Sequence, residues 1–536
     1  MPDFARRWFP RLLIIVLVMV YARGIFPFVA VEGDEQGVIN GILAAEQHRV
    51  NFLDFAYIYP IQPGSFWLIR LAHAICGGRL ISVFGSLTAL GAAGFIAVMA
   101  FFGARLCGGR PAWIALALLC CQELVSAGWY ANTCAMAAPL TTGALLLGFC
   151  SGNRTTLLGA AALIALGAWV RMDSLLITPV FLPLAFAQCG DLRRAMLRTA
   201  VVALASAAGL LVLLAVSGTS LTEAWSTYVS QPYGEGWISL WHKFWLVGSI
   251  VITAATVLGV IYLLICKDAH LIVCGLCAGL PAVLVYGHTF TTTKYLYYAV
   301  PFAVFVCVGT AIKILQRDSR RGRLAIGAAV LALVAEGFIG VRTTSDEFRR
   351  FFPARGIKIS QLSLPLRTRP VQLILGEGEI LGTDDAFRLR AGWFFAASAW
   401  HREKIRALTE TTRLNAGLTD RASLIISSTY LASRLVTGEL LAQGAIREDH
   451  IPIGDDESSF KSRWRTGSRE IVQVLVNNSV SETKLFARYA AEGKPSSTLF
   501  INDRGQRAAR YLGVNASGWT CLSPSEDGLL AIYEKK

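Results

Sequence analysis

The chain has 536 residues, 54% of them hydrophobic and only 16% charged, with a mean hydropathy of +0.51. A soluble globular protein carries about a quarter of its residues as charges, so water is excluded as the solvent for most of this chain. The net charge of +14 does not by itself call for a nucleic-acid partner, because position explains much of it: over residues 1–341 basic residues cluster in alternate connections between apolar runs, where a membrane protein places them.

A hydrocarbon core needs about 20 apolar residues per helix, and runs of that kind recur from residue 12 to residue 341. Spans are expected near 12–29, 80–102, 112–130, 133–150, 156–170, 174–187, 199–217, 243–265, 270–287, 295–312 and 324–341. The first follows Arg6 and Arg7 and could be confused with a secretory signal, but no clean small-x-small cleavage site follows, so it reads as an uncleaved anchor. After it comes a loop of about fifty residues, far longer than an ordinary interhelical link. Residues 32–47 place Val38, Ile42 and Ala45 at helical spacing, which predicts an amphipathic helix at the outer interface. Residues 57–64 then carry two tyrosines and two prolines, and residues 65–75 suit a half-embedded helix better than a full span.

Alternate connections are basic: Arg6, Arg7 and Arg11; Arg105 and Arg110; Arg154; Arg193, Arg194 and Arg198; Lys267; and Lys313, Arg317, Arg320, Arg321 and Arg323. The others carry Glu32, Asp34, Glu35, Asp173, Glu223 and Glu235 with few cations. By the positive-inside rule the N-terminus is cytoplasmic, and eleven spans put the tail outside. Another outer loop, 217–242, holds Trp225, Tyr228, Tyr233, Trp237 and Trp241, an aromatic belt that reads as anchoring. A third outer segment, 288–298, holds His288, Lys294 and Tyr295.

The apolar runs stop at Arg342. In the tail, strand-like runs at 371–375, 423–427, 471–476, 498–501 and 529–533 alternate with helical stretches at 397–409 and 430–442. The expected fold is a polytopic α-helical membrane domain over 1–341 and a soluble extracytoplasmic α/β domain over 342–536. Eleven of the twelve cysteines lie between Cys76 and Cys307, so Cys521 has no disulfide partner in the tail. Cys274 and Cys277, on an apolar span without a nearby histidine, read as small apolar packing. The seven scattered histidines give no metal signature, and neither metal nor cofactor is expected.

The adjacent carboxylates Asp34 and Glu35 are the strongest candidates for chemistry, although an acidic pair in an outer loop can also be a solvated face. Arg171 and Asp173 offer a second charged site or a structural ion pair at a helix break. Lys294 can equally be a snorkelling interfacial lysine, and His288 a hydrogen-bonded boundary histidine. Taken in order, four motifs resemble the C-type glycosyltransferase superfamily, which includes protein O-mannosyltransferases, aminoarabinose transferases, and galacturonosyl and arabinosyl transferases. They are Gly33-Asp34-Glu35, Tyr59-Pro60-x-x-Pro63-Gly64, Arg171-x-Asp173, and Lys294-Tyr295 followed by Tyr297, Tyr298 and Pro301.

The resemblance, over roughly residues 10–320, implies a donor sugar on a polyprenyl phosphate at the outer face of a bacterial cytoplasmic membrane. It implies Asp34 as general base on an acceptor hydroxyl of an envelope lipid, glycan or protein, with Glu35 orienting the acceptor or the developing positive sugar. Substrate contacts would come from Lys294, Tyr295, Arg171, Asp173, Tyr57, Tyr59 and His288. The chain departs from the His-Pro-Pro found in several members, having Tyr59-Pro60-Ile61-Gln62-Pro63 instead. A transporter or lipid-linked sugar flippase is the alternative, but such proteins hold ionisable groups at the bilayer midplane, and here they lie mostly at span ends. A sensor or scaffold acting through the tail is a third reading.

Overall fold

The structure is a computed structural model. It describes residues 16–17, 30–31, 33–47, 51–56, 58–108, 110–119, 124, 130–150, 152–229, 250–266, 272–277, 279–280, 299–317, 320, 322–324, 327–328 and 331, and in the tail 395–396, 424–428, 450–452, 462–466, 469–475, 498–502, 519–524 and 530–535. The expected spans 12–29 and 324–341, the strand 371–375 and the tail helices 397–409 and 430–442 lie wholly or mostly outside these residues. The chain divides into two compact units.

The described residues of the first unit, formed by residues 1–29, 61–347 and 358–373, are helical apart from the short strand β2 (Tyr130–Ala131). Its helices are α3 (Pro63–Cys76), α4 (Leu80–Cys107), α5 (Pro111–Leu119), α6 (Thr133–Cys150), α7 (Arg154–Val170), α8 (Phe181–Cys189), α9 (Leu192–Val216), α10 (Leu221–Val229), α11 (Ile250–Cys266) and α12 (Val300–Arg317). Among the described residues, five helical segments are long and apolar enough to cross a bilayer: α4, α6, Met172–Cys189, α9 and α12. The expected span 133–150 coincides with α6, and 156–170 begins two residues earlier as α7. The helix expected over 65–75 is α3, with Phe66 and Ile69 buried and Trp67, Leu71 and Ile75 exposed on one stripe.

Lipid explains the outer faces. On α9, Ala195, Val202 and Leu210 are buried while Leu197, Leu204 and Leu211 are exposed, an arrangement that costs nothing where the solvent is hydrocarbon. Inside, small residues let helices meet closely. Gly91 of α4 lies against the backbone carbonyl of Ala135 in α6, and a Cβ at Gly91 would overlap that oxygen. Ala135 is four residues before Pro139, whose missing N–H leaves that carbonyl without its usual helical donor. Gly148 makes room for the Phe181 ring in the same way. At the other side of α4, Phe102 meets Phe302 and Phe305 edge-on, with centroids 5.9 and 6.2 Å apart, a favoured aromatic geometry.

The segment expected to be a span over 174–187 differs at its start. Met172–Val180 is a 3-10 helix that passes into α8 only at Phe181. A nine-residue 3-10 run is long for this tighter, poorer helix; its first turn is pinned by the Ser174 N–H to Arg171 carbonyl bond at 3.0 Å, and Pro179 removes a helical donor near its end.

The second unit comprises residues 30–60, 348–357 and 374–536. It contains α1 (Gly33–Gln47), α2 (Phe52–Phe55) and a seven-stranded mixed sheet. The sheet strands are β4 (Leu424–Ser428), β5 (His450–Pro452), β6 (Ser462–Thr466), β7 (Arg469–Leu475), β8 (Thr498–Asn502), β9 (Trp519–Pro524) and β10 (Leu530–Lys535), in the order β5-β6-β7-β4-β8-β10-β9. β4 is parallel to both neighbours, Leu424 standing opposite Ile471 and Thr498; the remaining pairs are antiparallel. The short strand β1 (Ala30–Val31) pairs antiparallel with β3 (Phe395–Ala396), so the start of the long loop is tied to the tail.

Candidate functional site

In the first unit the site grows from a break between two apolar helices. α7 ends at Val170, and Arg171 adopts an extended backbone, φ −157° and ψ 115°. Both charged side chains at the break are buried, Arg171 at 7% exposure and Asp173 at 5%. Arg171 Nε donates to Asp173 Oδ1 at 3.0 Å and Oδ2 at 2.8 Å, and Nη1 donates to Thr133 Oγ1 at 2.6 Å. Thr133 is held because it opens α6, whose first turn is capped by Asn132: the Cys134 N–H donates to Asn132 Oδ1 at 2.8 Å, and the Asn132 N–H donates to Thr88 Oγ1 at 3.0 Å. A buried cation is tolerable only with such partners.

Two further ties frame this centre. Ser65 Oγ donates to the Val170 carbonyl at 2.7 Å, and Gly64 packs so closely that a Cβ there would fall 2.5 Å from Trp169 Cε3. The N-terminus of α3 is thereby fixed to the C-terminus of α7, one residue from Arg171. On the other side Trp169 Nε1 donates to Ser217 Oγ at 2.6 Å, anchoring the connection into α10.

That connection is itself built. The Ser220 N–H donates to Glu223 Oε2 at 2.7 Å and the Glu223 N–H donates to Ser220 Oγ at 3.1 Å, a reciprocal capping box. These bonds, the Ser220 backbone first and its hydroxyl next, hold the Glu223 carboxyl below its ordinary pKa. α10 carries Trp225 and Tyr228, stacked with centroids 6.2 Å apart. The Tyr228 phenol is pushed up by burial and by the Asp173 carboxylate, with Arg171 opposing. Tyr228, read from sequence as a belt residue, therefore shares the electrostatic environment of the Arg171–Asp173 pair. The Ser220-x-x-Glu223 spacing was the available signal for a helix start here.

In the second unit α1 begins at Gly33, so Asp34 and Glu35 occupy its first turn, where the free N–H groups favour carboxylates. Glu35 is fully buried, as are Val38 and Ile42, whose spacing predicts this helix. After α2, capped by Asn51 Oδ1 accepting from the Leu53 N–H at 3.3 Å, the buried Tyr59 ring stacks on Phe52 with centroids 5.1 Å apart. α2 lies against β5.

Of the residues singled out in sequence, the structure joins Arg171 to Asp173, sets Asp34 and Glu35 on one helical turn, and buries Tyr59. Tyr57, His288, Lys294 and Tyr295 lie outside the described residues. Among the described residues, no group of three or more His, Cys, Asp or Glu side chains could hold a metal ion.

No family model matches the chain, and no curated protein matches it in sequence. Its fold does match solved structures. ArnT from Cupriavidus metallidurans in the apo state aligns over 99% of this chain and 98% of its own, with a TM-score of 0.55 at 11% identity. The same protein bound to undecaprenyl phosphate aligns over 98% and 97%, with a TM-score of 0.52 at 11% identity. The archaeal oligosaccharyltransferase AglB from Archaeoglobus fulgidus, in complex with an inhibitory peptide and a dolichol-phosphate, aligns over 98% of this chain and 74% of its own, with a TM-score of 0.51 at 12% identity. The chain is thus a multi-pass helical membrane protein that shares the fold of ArnT and of the archaeal oligosaccharyltransferase AglB.

Proposed function

We propose that the protein is a membrane glycosyltransferase that moves a sugar, a hexose or a pentose, from a polyprenyl-phosphate donor to a hydroxyl acceptor. The observation that supports this most is the likeness, over 98% of the chain, to structures that hold undecaprenyl phosphate and dolichol-phosphate. The protein sits in the bacterial cytoplasmic membrane with its N-terminus inside and eleven spans over residues 1–341. The domain 342–536 lies outside.

Asp34 takes the proton of the acceptor hydroxyl as its oxygen attacks the anomeric carbon. The bond from that carbon to the phosphate oxygen breaks, and the electron pair leaves with the polyprenyl phosphate. Glu35, Tyr57, Tyr59 and His288 orient acceptor and sugar. Lys294, beside Tyr295, meets the departing phosphate, and the Arg171–Asp173 pair supplies a fixed buried dipole. No metal takes part, so transfer persists in EDTA.

Purified protein in nanodiscs, given radiolabelled undecaprenyl-phosphate sugars and a membrane acceptor extract, tests the reading. Asp34→Asn lowers turnover by roughly 10² to 10⁴ with donor binding intact, whereas Lys294→Met weakens donor affinity as well as rate. Near-normal transfer by Asp34→Asn would move the base to Glu35 or Asp173. Absence of transfer from every lipid-linked sugar would overturn the enzyme and favour a transporter.

A further inference from the structure

The short segment that leads into α3 holds a polar group that the fold leaves unexplained. Gln62 is 2% exposed, and its side-chain Oε1 is buried with no hydrogen-bond partner among the described residues. It stands immediately before Pro63, the first residue of α3, yet its side chain makes no capping bond to that helix. Folded interiors pair the large majority of such oxygens, and each one left over calls for a ligand, a water or a function.

Its position is well held. The Ser65 N–H donates to the Gln62 carbonyl at 3.1 Å, Ser65 Oγ donates to the Val170 carbonyl at 2.7 Å, and Gly64 abuts Trp169. Gln62 therefore sits within one helical turn of a residue that touches Val170, the neighbour of the buried Arg171. A buried acceptor on a segment tied down in this way is suited to recognition, because little backbone needs to be ordered when a ligand arrives.

We propose that Gln62 is a specificity-determining residue whose Oε1 accepts a hydrogen bond from a hydroxyl of the transferred sugar, an inference that rests on the glycosyl-transfer reading above. The chemistry narrows the ligand. An ionised phosphate has no proton to give and a polyprenyl chain has none, whereas a sugar hydroxyl is a donor of the right kind. A buried acceptor also discriminates strongly, since a donor sugar lacking that hydroxyl leaves the oxygen unpaired.

The test uses the full chain in nanodiscs with undecaprenyl-phosphate-linked hexoses and pentoses, the membrane acceptor extract, and singly deoxygenated analogues of whichever donor the wild type uses best. Gln62→Met keeps the length of the side chain and removes both polar atoms. On the best donor its kcat/KM falls about 5- to 100-fold, while on one deoxy analogue variant and wild type agree within about twofold. Its melting temperature is equal to or above that of wild type, since no polar atom is then buried at this position. Equal kcat/KM for both proteins on every donor would make Gln62 a packing defect and overturn the assignment. A loss of the same size on all deoxy analogues would place the contact off the donor sugar and overturn it too. If wild type transfers none of the sugars, the glycosyl-transfer reading itself falls and the inference falls with it. Should Gln62→Met not fold, Gln62→Asn, which withdraws the amide by one methylene, carries the same comparison.

Discussion

Arg171 grips both carboxylate oxygens of Asp173 through a single nitrogen, Nε, and uses Nη1 to reach Thr133 on a separate helix. The pair is thus the join between α6 and the helix break after α7. Asp173→Ala leaves the buried guanidinium without this counterion and is expected to cost about 3 to 5 kcal/mol. Thr133→Val, which removes one bond to a charged group, costs about 1 to 3 kcal/mol. Combining Arg171→Met with Asp173→Leu restores most of the loss. Melting temperatures in nanodiscs check the order, and an Asp173→Ala protein as stable as wild type would refute it.

Burial and the Asp173 carboxylate raise the Tyr228 pKa above its ordinary value of 10.0. The folded state then holds the phenol proton more tightly than the unfolded chain does. Its contribution is complete below the unfolded pKa and fades as pH climbs beyond it toward the folded value. Stability should fall more steeply above about pH 10 in wild type than in Tyr228→Phe. Thermal melts between pH 8 and pH 11 decide this, and parallel slopes would separate Tyr228 from the pair.

Glu223 titrates with the opposite sign. Its lowered pKa means that its contribution is present above the unfolded carboxylate value and is lost as pH falls through the folded one. Ser220→Ala removes one half of the capping box, a loss of about 1 kcal/mol to the helix. Hydrogen exchange of the amides in 221–229 should quicken in Ser220→Ala at neutral pH, and in wild type under acid conditions. Unchanged protection in the variant would show that the box does not hold α10.

Gly91→Ala forces a methyl group onto the Ala135 carbonyl, where backbone and not a movable side chain is in the way. The expected cost is about 1 to 3 kcal/mol. Gly108→Ala serves as a contrast of another kind, because among the described residues nothing lies near its Cβ and its penalty comes from φ of 71°. If Gly91→Ala melts with wild type, α4 and α6 do not approach as closely as described.

Much of the membrane unit was legible because a bilayer writes length and polarity directly into sequence. The bounds of α6 match the apolar run, and Arg171 and Asp173 stood out as charges inside one. The burial of Gln62 was not legible: it depends on Gly64 and Ser65 meeting Trp169 and Val170, contacts across more than a hundred residues of chain. Ser220-x-x-Glu223 is readable as a helix start, but the aromatic residues that follow it carry the stronger signal. In the tail, apolar runs gave β4, β7, β8 and β10 nearly to the residue, but Ala30–Val31 and Phe395–Ala396 are too short to show a period.

The place of β4 sets the tempo at which the second unit can form. Residues 424–428 lie between 471–475 and 498–502, parallel to each, so no tight hairpin can nucleate the middle of the sheet. The hairpins β6–β7 and β9–β10 can close early, but they remain two separate ribbons with open edges until distant stretches of chain find one another. Such long-range pairing is slow and leaves strand edges available to other chains. The membrane unit, by contrast, joins neighbours in sequence such as α6 and α7. Aggregation of this protein during production should therefore begin in the sheet, well after the helices around Arg171 have assembled.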